Sequence, residues 1–254
     1  MRIAIVSDSH GDLVALRAVI ADLERHGDVD ETLLAGDLAQ GGPQPSEVVD
    51  EIRRRGWRSA RGNSDDFLVR IASGEPHDED DGAALLAHGE WSVARLGRER
   101  VEYLRTLPFA LELDDLPCGR LVIVHSTPWS NRDVVLPDAA EDVASRVVEA
   151  AGARLVASGH IHTPYQRRVG DAVLLSVGAV SGSNDADPRP AYTVVDAGER
   201  ITVEVRRVEC SADERLAAYE RAGVELSEER RARIGAAGPF PVRSQPGVAV
   251  QLWP

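Results

Sequence analysis

Residues 2–10 read RIAIVSDSH. RIAIV is a short, β-branched run with no polar alternation, as expected for a strand buried on both faces, and it ends at a polar turn holding Asp8 and His10. Downstream, Leu13, Leu16, Val19, Ile20 and Leu23 place one apolar stripe on a helix. ETLLAGD (31–37) repeats the strand-then-turn form, Val48, Val49 and Ile52 repeat the helix, and RSARGN (58–63) reads as a third, weaker strand. This alternation predicts a layered α/β fold whose functional residues lie at the carboxyl ends of its strands.

Further along, Phe67 to Leu107 reads as helical around DEDDGAALLAH and RERVEYLRTLP, which predicts a helical cap insertion at about 67–110. The contiguous carboxylates Asp78, Glu79, Asp80 and Asp81 read as a solvated loop or helix start. Strands are expected again at RLVIVHS (120–126) and RLVASGH (154–160), separated by a helix from about Ala139 to Ala150 with Asp138 as its N-cap. YQRRV, AVLLSV, AYTVVD and ITVEVRRV then predict an antiparallel or mixed second half. From Ser211 two short polar helices are expected, closing one domain over 1–235. Residues 236–254 form a Pro- and Gly-containing tail, either disordered or docked through Phe240 and Trp253.

A chain of 254 residues buries a sizeable core without disulfides. Its two cysteines, Cys118 and Cys210, form no CxxC pair, which disfavours a thiolate metal site and favours a reduced setting, although a single bridge between them is left open. The formal charge of −13 argues against non-specific nucleic-acid or anionic-membrane binding. All 29 basic residues are arginine. The N-terminus lacks the pattern of a secretory signal, and no stretch approaches the ~18 apolar residues of a membrane span, so a cytoplasmic protein is expected. The sequence leaves homo-oligomer formation open.

The chemistry gathers at strand ends: Asp8 and His10 in SDSH, Asp37 in GD, Asn63 in GN, His125 in VIVHS, His160 and His162 in GHIH. Singly these are ordinary turn, capping or core residues. Together they account for four of the seven histidines, each at a predicted strand end. Seven oxygen and imidazole ligands exceed one tetrahedral ion and suit two adjacent cations bridged by a carboxylate. On extended segments, residues i and i+2 share a face, which would aim Asp8 with His10, and His160 with His162, into one cleft. Carboxylates and imidazoles without thiolates suit Mn, Fe, Co, Ni or Zn.

This series, DxH, GD, GN, H and GHxH in that order, resembles the calcineurin-like metallophosphoesterases. GDLAQGGPQPSEVVDEI, RTLP, HSTP and DPRPAYTVVD make it similar to the small bacterial phosphodiesterases and diadenosine tetraphosphate hydrolases, over Arg2 to about Val208. The resemblance implies a four-layer α/β/β/α sandwich and a dinuclear metal-dependent phosphoesterase acting on phosphodiester or phosphoanhydride bonds of a small, phosphorylated, nucleotide-like substrate. It implies that Asp8, His10 and His162 hold one metal, that Asn63, His125 and His160 hold the other, and that Asp37 bridges them. It also makes Asp37 and His10 catalytic and gives Asn63 a substrate contact. A protein serine/threonine phosphatase and a non-catalytic scaffold of the same fold are the alternatives.

Three departures from that pattern stand out. GNSDD lacks a histidine after GN, so Asp65 is the candidate proton donor, against a helix-capping role for Ser64 or Asp65. Asp12 replaces a more usual asparagine, as a helix cap or an extra carboxylate near the metals. VGAVSGSND lacks an arginine that could hold a phosphate, leaving Asn184 and Arg189 as candidate substrate contacts.

Overall fold

The computed structural model describes residues 1–76, 82–185 and 187–235. The acidic run at Asp78–Asp81 and the tail at 236–254 lie outside them. The chain is a mixed α/β sandwich of two five-stranded sheets flanked by helices. The first sheet holds β1 (Arg2–Val6), β2 (Glu31–Leu34), β3 (Arg58–Ser59), β9 (Ala191–Ala197) and β10 (Ile201–Arg207), in the order β10-β9-β1-β2-β3. The second holds β4 (Ala110–Leu113), β5 (Leu121–Val124), β6 (Leu155–Ser158), β7 (Tyr165–Val169) and β8 (Ala172–Ser176), in the order β4-β5-β6-β8-β7.

Alternation along β1 shows how the layers are held. Ile3 and Ile5 point between the sheets, where they join Leu33, Ile123, Leu155 and Leu175. Ala4 and Val6 point outward into the cluster formed with α1 (Leu13–His26) and α2 (Pro45–Arg54). On the far side, Val122, Val124, Val156 and Leu174 pack on α5 (Glu141–Ala151). Both faces of each central strand are therefore apolar, which is why these segments read as continuous runs.

The site depends on strand direction. β1, β2 and β3 run parallel, as do β5 and β6, so five carboxyl ends gather at one edge of the sandwich. The second half is mixed, with β9 and β10 antiparallel to each other and β9 antiparallel to β1.

Several local expectations are corrected. β4 is not anticipated from the sequence and pairs antiparallel with β5. The helix expected near Phe67 starts earlier: α3 spans Asn63–Ser73, so the GN motif is its first turn. α4 (Ala83–Thr106) is broken at Gly97 (φ 66°), and it packs on α2 and α3 with Leu96 and Leu104 fully buried. The helix expected at Ala139 begins at Glu141, capped by Ala140, and Asp138 is buried ahead of it. Both cysteines are free thiols. α6 (Ala212–Ala222) and α7 (Glu228–Gly235) close the described chain.

Candidate metal centre

The sheet edge carries an unusual backbone. Among the described residues, the only non-glycine residues with positive φ are Asp8 (55°), His10 (45°), Asp37 (58°), His160 (68°) and His162 (57°). All five are residues singled out as ligands. The expectation that i and i+2 share the face of an extended segment is thus corrected, because each pair turns into the cleft through left-handed kinks. Non-glycine residues pay for that region, and such strain clusters at functional sites. Ile161 points away and is buried with Val134 and Leu136.

Two glycines permit the close approach. A Cβ on Gly62 would lie 2.0 Å from Asp37 Oδ1, and one on Gly159 would lie 2.0 Å from Ser7 Oγ and 2.6 Å from Asp8 Oδ2.

The side chains converge. His162 Nε2 lies 3.2 Å from both His10 Nε2 and Asp8 Oδ1. Asp37 Oδ2 lies 3.5 Å from His10 Nε2 and 3.4 Å from His125 Nε2, between the two histidines, and Asn63 Oδ1 is 2.9 Å from His125 Nε2. Among the described residues, two sets of ligand atoms fall within 4.8 Å of one another: Asp8, His10 and His162, and Asp8, Asp37 and His125. His160 belongs to neither set, although its ring centroid is 5.0 Å from that of His125 and its backbone N–H donates to Asp8 Oδ2.

Backbone carbonyls orient the imidazoles. His10 Nδ1 faces Gln40 O at 2.7 Å, His125 Nδ1 faces Ala35 O at 2.7 Å and His162 Nδ1 faces Gly182 O at 2.9 Å. A carbonyl only accepts, so each Nδ1 carries a hydrogen, and each ring turns its Nε2 to the cleft. His160 is reversed: its Nε2 donates to Arg132 O at 3.1 Å, leaving Nδ1 as the free lone pair.

These residues fit divalent cations on the molecule's own geometry. Asp8 is fully buried, and its Oδ1 accepts no hydrogen bond. Beside it the lone pairs of His10 and His162 oppose each other. Buried acceptors pointed at one another are costly unless a positive charge lies between them.

The protonation pattern agrees. Burial lowers His10, and burial followed by the charge of His125 pulls His160 down to about 4, so both are neutral and able to ligate. Burial would also lower His125, yet the Asp37 carboxylate holds it up to about 10 in the metal-free protein. Burial would raise Asp37, but His125 and His10 keep it far below the usual carboxylate range.

Other candidates sit elsewhere. Asp65 is fully buried behind Asp37 and faces no cleft. Its Oδ2 accepts from the Asp37 and Gly62 N–H groups and its Oδ1 from the Leu38 N–H, each at 2.9 Å, so it ties the GD loop to the start of α3. Burial and the Asp37 carboxylate push it up to about 7, against those donors. Arg189 is paired with Asp187 at 2.6 Å and Glu209 at 3.2 Å, is 41% exposed, and lines neither cavity beside the centre. Asn184 is engaged within the protein, donating to Ile161 O at 2.9 Å and accepting from Arg233.

Asp12 Oδ1 caps α1 through the Ala15 N–H at 3.0 Å, and its Oδ2 pairs with Arg215 of α6 at 2.8 Å. The carboxylate where asparagine is more usual is therefore matched to a cation 203 residues along the chain.

Some contributors carry no sequence signal. The orienting carbonyls of Ala35, Gln40, Arg132 and Gly182 have none. Ser64, which donates to Asp37 Oδ2 through its hydroxyl at 2.7 Å and to Oδ1 through its N–H at 2.9 Å, is marked only by its place after GN.

Two cavities flank the centre. One of about 290 Å³ is lined by His10, His162, Ser181, Ser227, Arg230 and Arg233. The other, of about 200 Å³, is lined by Asn63, Phe67, Leu85, Arg132 and His160. No helix among the described residues is long and apolar enough to cross a membrane.

The sequence profile of the calcineurin-like phosphoesterase superfamily domain matches residues 1–200. An uncharacterized protein of Methanocaldococcus jannaschii is 25% identical over 227 residues, covering 82% of this chain and 87% of its own. The crystal structure of a metallophosphoesterase from Sphaerobacter thermophilus superposes with a TM-score of 0.75 at 26% identity, covering 94% of this chain and 99% of the other. A hypothetical protein from Pyrococcus horikoshii shares the fold, with a TM-score of 0.78 at 21% identity over 93% of this chain and 98% of the other.

Proposed function

The chain belongs to the calcineurin-like phosphoesterase superfamily, and from that premise we propose that it is a dinuclear metal-dependent phosphohydrolase cleaving phosphodiester or phosphoanhydride bonds of small nucleotide-like substrates. The observation that carries this reading is the unsatisfied Asp8 Oδ1 among the opposed lone pairs of His10 and His162, beside Asp37 Oδ2 set between His10 and His125.

In the proposed arrangement Asp8, His10 and His162 would hold one ion, Asn63, His125 and His160 would hold the other, and Asp37 would be shared between them. Two bound cations would acidify a water and neutralise phosphoryl oxygens. Ser64 fixes the Asp37 carboxylate through two hydrogen bonds, and the carbonyls of Gln40, Ala35 and Gly182 fix the rings, so the donor set is preorganised. Asn63 would contact a substrate oxygen, a reading supported by its place in the wall of the smaller cavity.

Two features narrow the substrate. Asp65 is sealed behind Asp37, so no carboxylic acid is offered there to a poor leaving group, which favours phosphate or aryl leaving groups. Cavities on both sides of the centre leave room for a substituent on each side of the phosphorus, which favours an internal diester or anhydride over a terminal monoester.

The test is turnover by protein reconstituted with Mn, Fe, Co, Ni or Zn in turn. The substrates are bis-p-nitrophenyl phosphate, p-nitrophenyl phosphate, a dinucleoside tetraphosphate and a phosphopeptide. Diester and dinucleotide hydrolysis is expected to dominate, and Asp37→Asn is expected to abolish it together with paired metal binding. Dominant phosphopeptide turnover would favour a protein phosphatase, and no turnover with any metal would favour the scaffold. Full activity of Asp37→Asn with two bound ions would sink the bridging assignment.

A further inference from the structure

The family profile ends at residue 200, yet beyond it α6 packs on α1 and α7 lines the cavity beside the candidate metal centre. Their attachment is specific. Arg215 of α6, itself 2% exposed, pairs with Asp12 at 2.8 Å and donates to the Ser181 carbonyl. Arg233 of α7 donates to Asn184 Oδ1, and Asn184 in turn donates to the carbonyl of Ile161, the residue between His160 and His162. Asn184 N–H and Ser183 Oγ both bond the His162 carbonyl, at 3.0 and 2.7 Å. The C-terminal helices are thus tied to the loops that present the ligands.

This attachment puts cationic groups into a protein with a formal charge of −13. Arg230 and Arg233 share the cavity of about 290 Å³ with His10 and His162. The Arg230 guanidinium lies over Gly41, where a Cβ would sit 3.2 Å from Nη1, and 5.9 Å from the Tyr219 ring centroid. Gly41 follows Gln40, whose carbonyl orients His10. A helix presenting two arginines beside a centre already suited to cations supplies more positive charge than one phosphate at the metals requires. Guanidinium suits phosphate oxygens because its donors form a planar fork.

Building on the phosphohydrolase reading, we infer that α7 forms the basic wall of the cleft and binds a second anionic group of the substrate, a phosphate adjoining the one at the cations, through Arg230 and Arg233. Arg230 is a specificity residue in this account, and the missing phosphate-binding arginine of the VGAVSGSND loop is supplied from α7, downstream of that loop. The substrate class is a phosphoanhydride-linked nucleotide in preference to a singly charged diester.

The decisive quantity is how much a second phosphate improves binding. Calorimetry on the metal-loaded full-length protein would give the ratio of Kd for AMP to Kd for ADP. We expect ADP to bind about tenfold or more tighter in the wild type, the order of one charge-assisted hydrogen bond. Arg230→Gln should bring the ratio to about twofold or less, with Arg230→Lys intermediate. Arg231→Gln, an exposed neighbour on the same helix, should leave the ratio unchanged, which separates local recognition from general charge. Metal content and circular dichroism of Arg230→Gln should match the wild type. A wild-type ratio near one, a ratio insensitive to Arg230→Gln, or an equal loss in Arg231→Gln would each overturn the inference. Failure of the phosphohydrolase reading appears separately, as no turnover of bis-p-nitrophenyl phosphate by the wild type while the binding ratio is still measured.

Discussion

Replacing Arg215 by methionine isolates the contact that fastens the C-terminal helices. The Arg215 and Asp12 side chains are each 2% exposed and meet at 2.8 Å, so neither charge reaches water. At an effective dielectric of about 20, that separation corresponds to roughly 6 kcal/mol of attraction, which offsets a desolvation cost of several kcal/mol per ion and leaves the intact pair near neutral. Removing the arginine leaves Asp12 buried with only its cap to Ala15 N–H, so the expected destabilisation is about 3–5 kcal/mol. For a chain of this size that is a fall in Tm of roughly 6–20 °C, at about 2–4 °C per kcal/mol. Asp12→Asn in the same background keeps an oxygen to cap Ala15 and removes the stranded charge. The double variant should therefore recover most of the loss, to within about 1–2 kcal/mol of wild type. Equilibrium urea unfolding and thermal scans of the four proteins complete the cycle. A cost below about 1 kcal/mol for Arg215→Met, or simple additivity in the double variant, would refute the reasoning that a buried charge drives the effect.

Two further outcomes test the centre. Gly62→Ala places a Cβ 2.0 Å from Asp37 Oδ1 and 2.5 Å from its N, so a folded variant, verified by circular dichroism, should bind metal about 10–100-fold more weakly by equilibrium dialysis. Unchanged affinity would show that Asp37 does not depend on that contact. The pH dependence has a definite sign: with the metal-free folded value of His125 raised to about 10, its contribution to stability is complete below about 6.5 and is lost as pH rises towards 10. Metal must displace that proton, so apparent affinity should rise across the same window, with proton release seen as a buffer-dependent calorimetric heat; pH-independent affinity would refute this.

Legibility followed range along the chain. β1, β5 and β6 are short, largely apolar runs, read directly because both their faces are buried, and β2 is read from Leu33 and Leu34 at its buried end. β4 was hidden because its pairing with β5 is a tertiary choice, and Phe67 misled the start of α3 because the cap comes from Gly62 and Asp65, whose carboxylate also serves the GD loop. Asp12 could be read as a cap from its own helix, but its ion pair depends on a residue 203 positions away.

The sequence by itself determined the strand-then-turn series, its order, and the oxygen and imidazole side chains at the strand ends, because short-range sterics and burial periodicity act between near neighbours. Only the tertiary structure decided how those side chains meet. Left-handed backbone at Asp8, His10, Asp37, His160 and His162 turns them inward, which no local preference of Asp or His requires. Carbonyls of Ala35, Gln40, Arg132 and Gly182 choose which ring nitrogen is left open, and every residue type has a carbonyl. Arg230 enters the cleft because the buried Asp12–Arg215 pair, 203 residues apart, sets α6 on the fold and the Arg233–Asn184 bond holds α7 beside the centre.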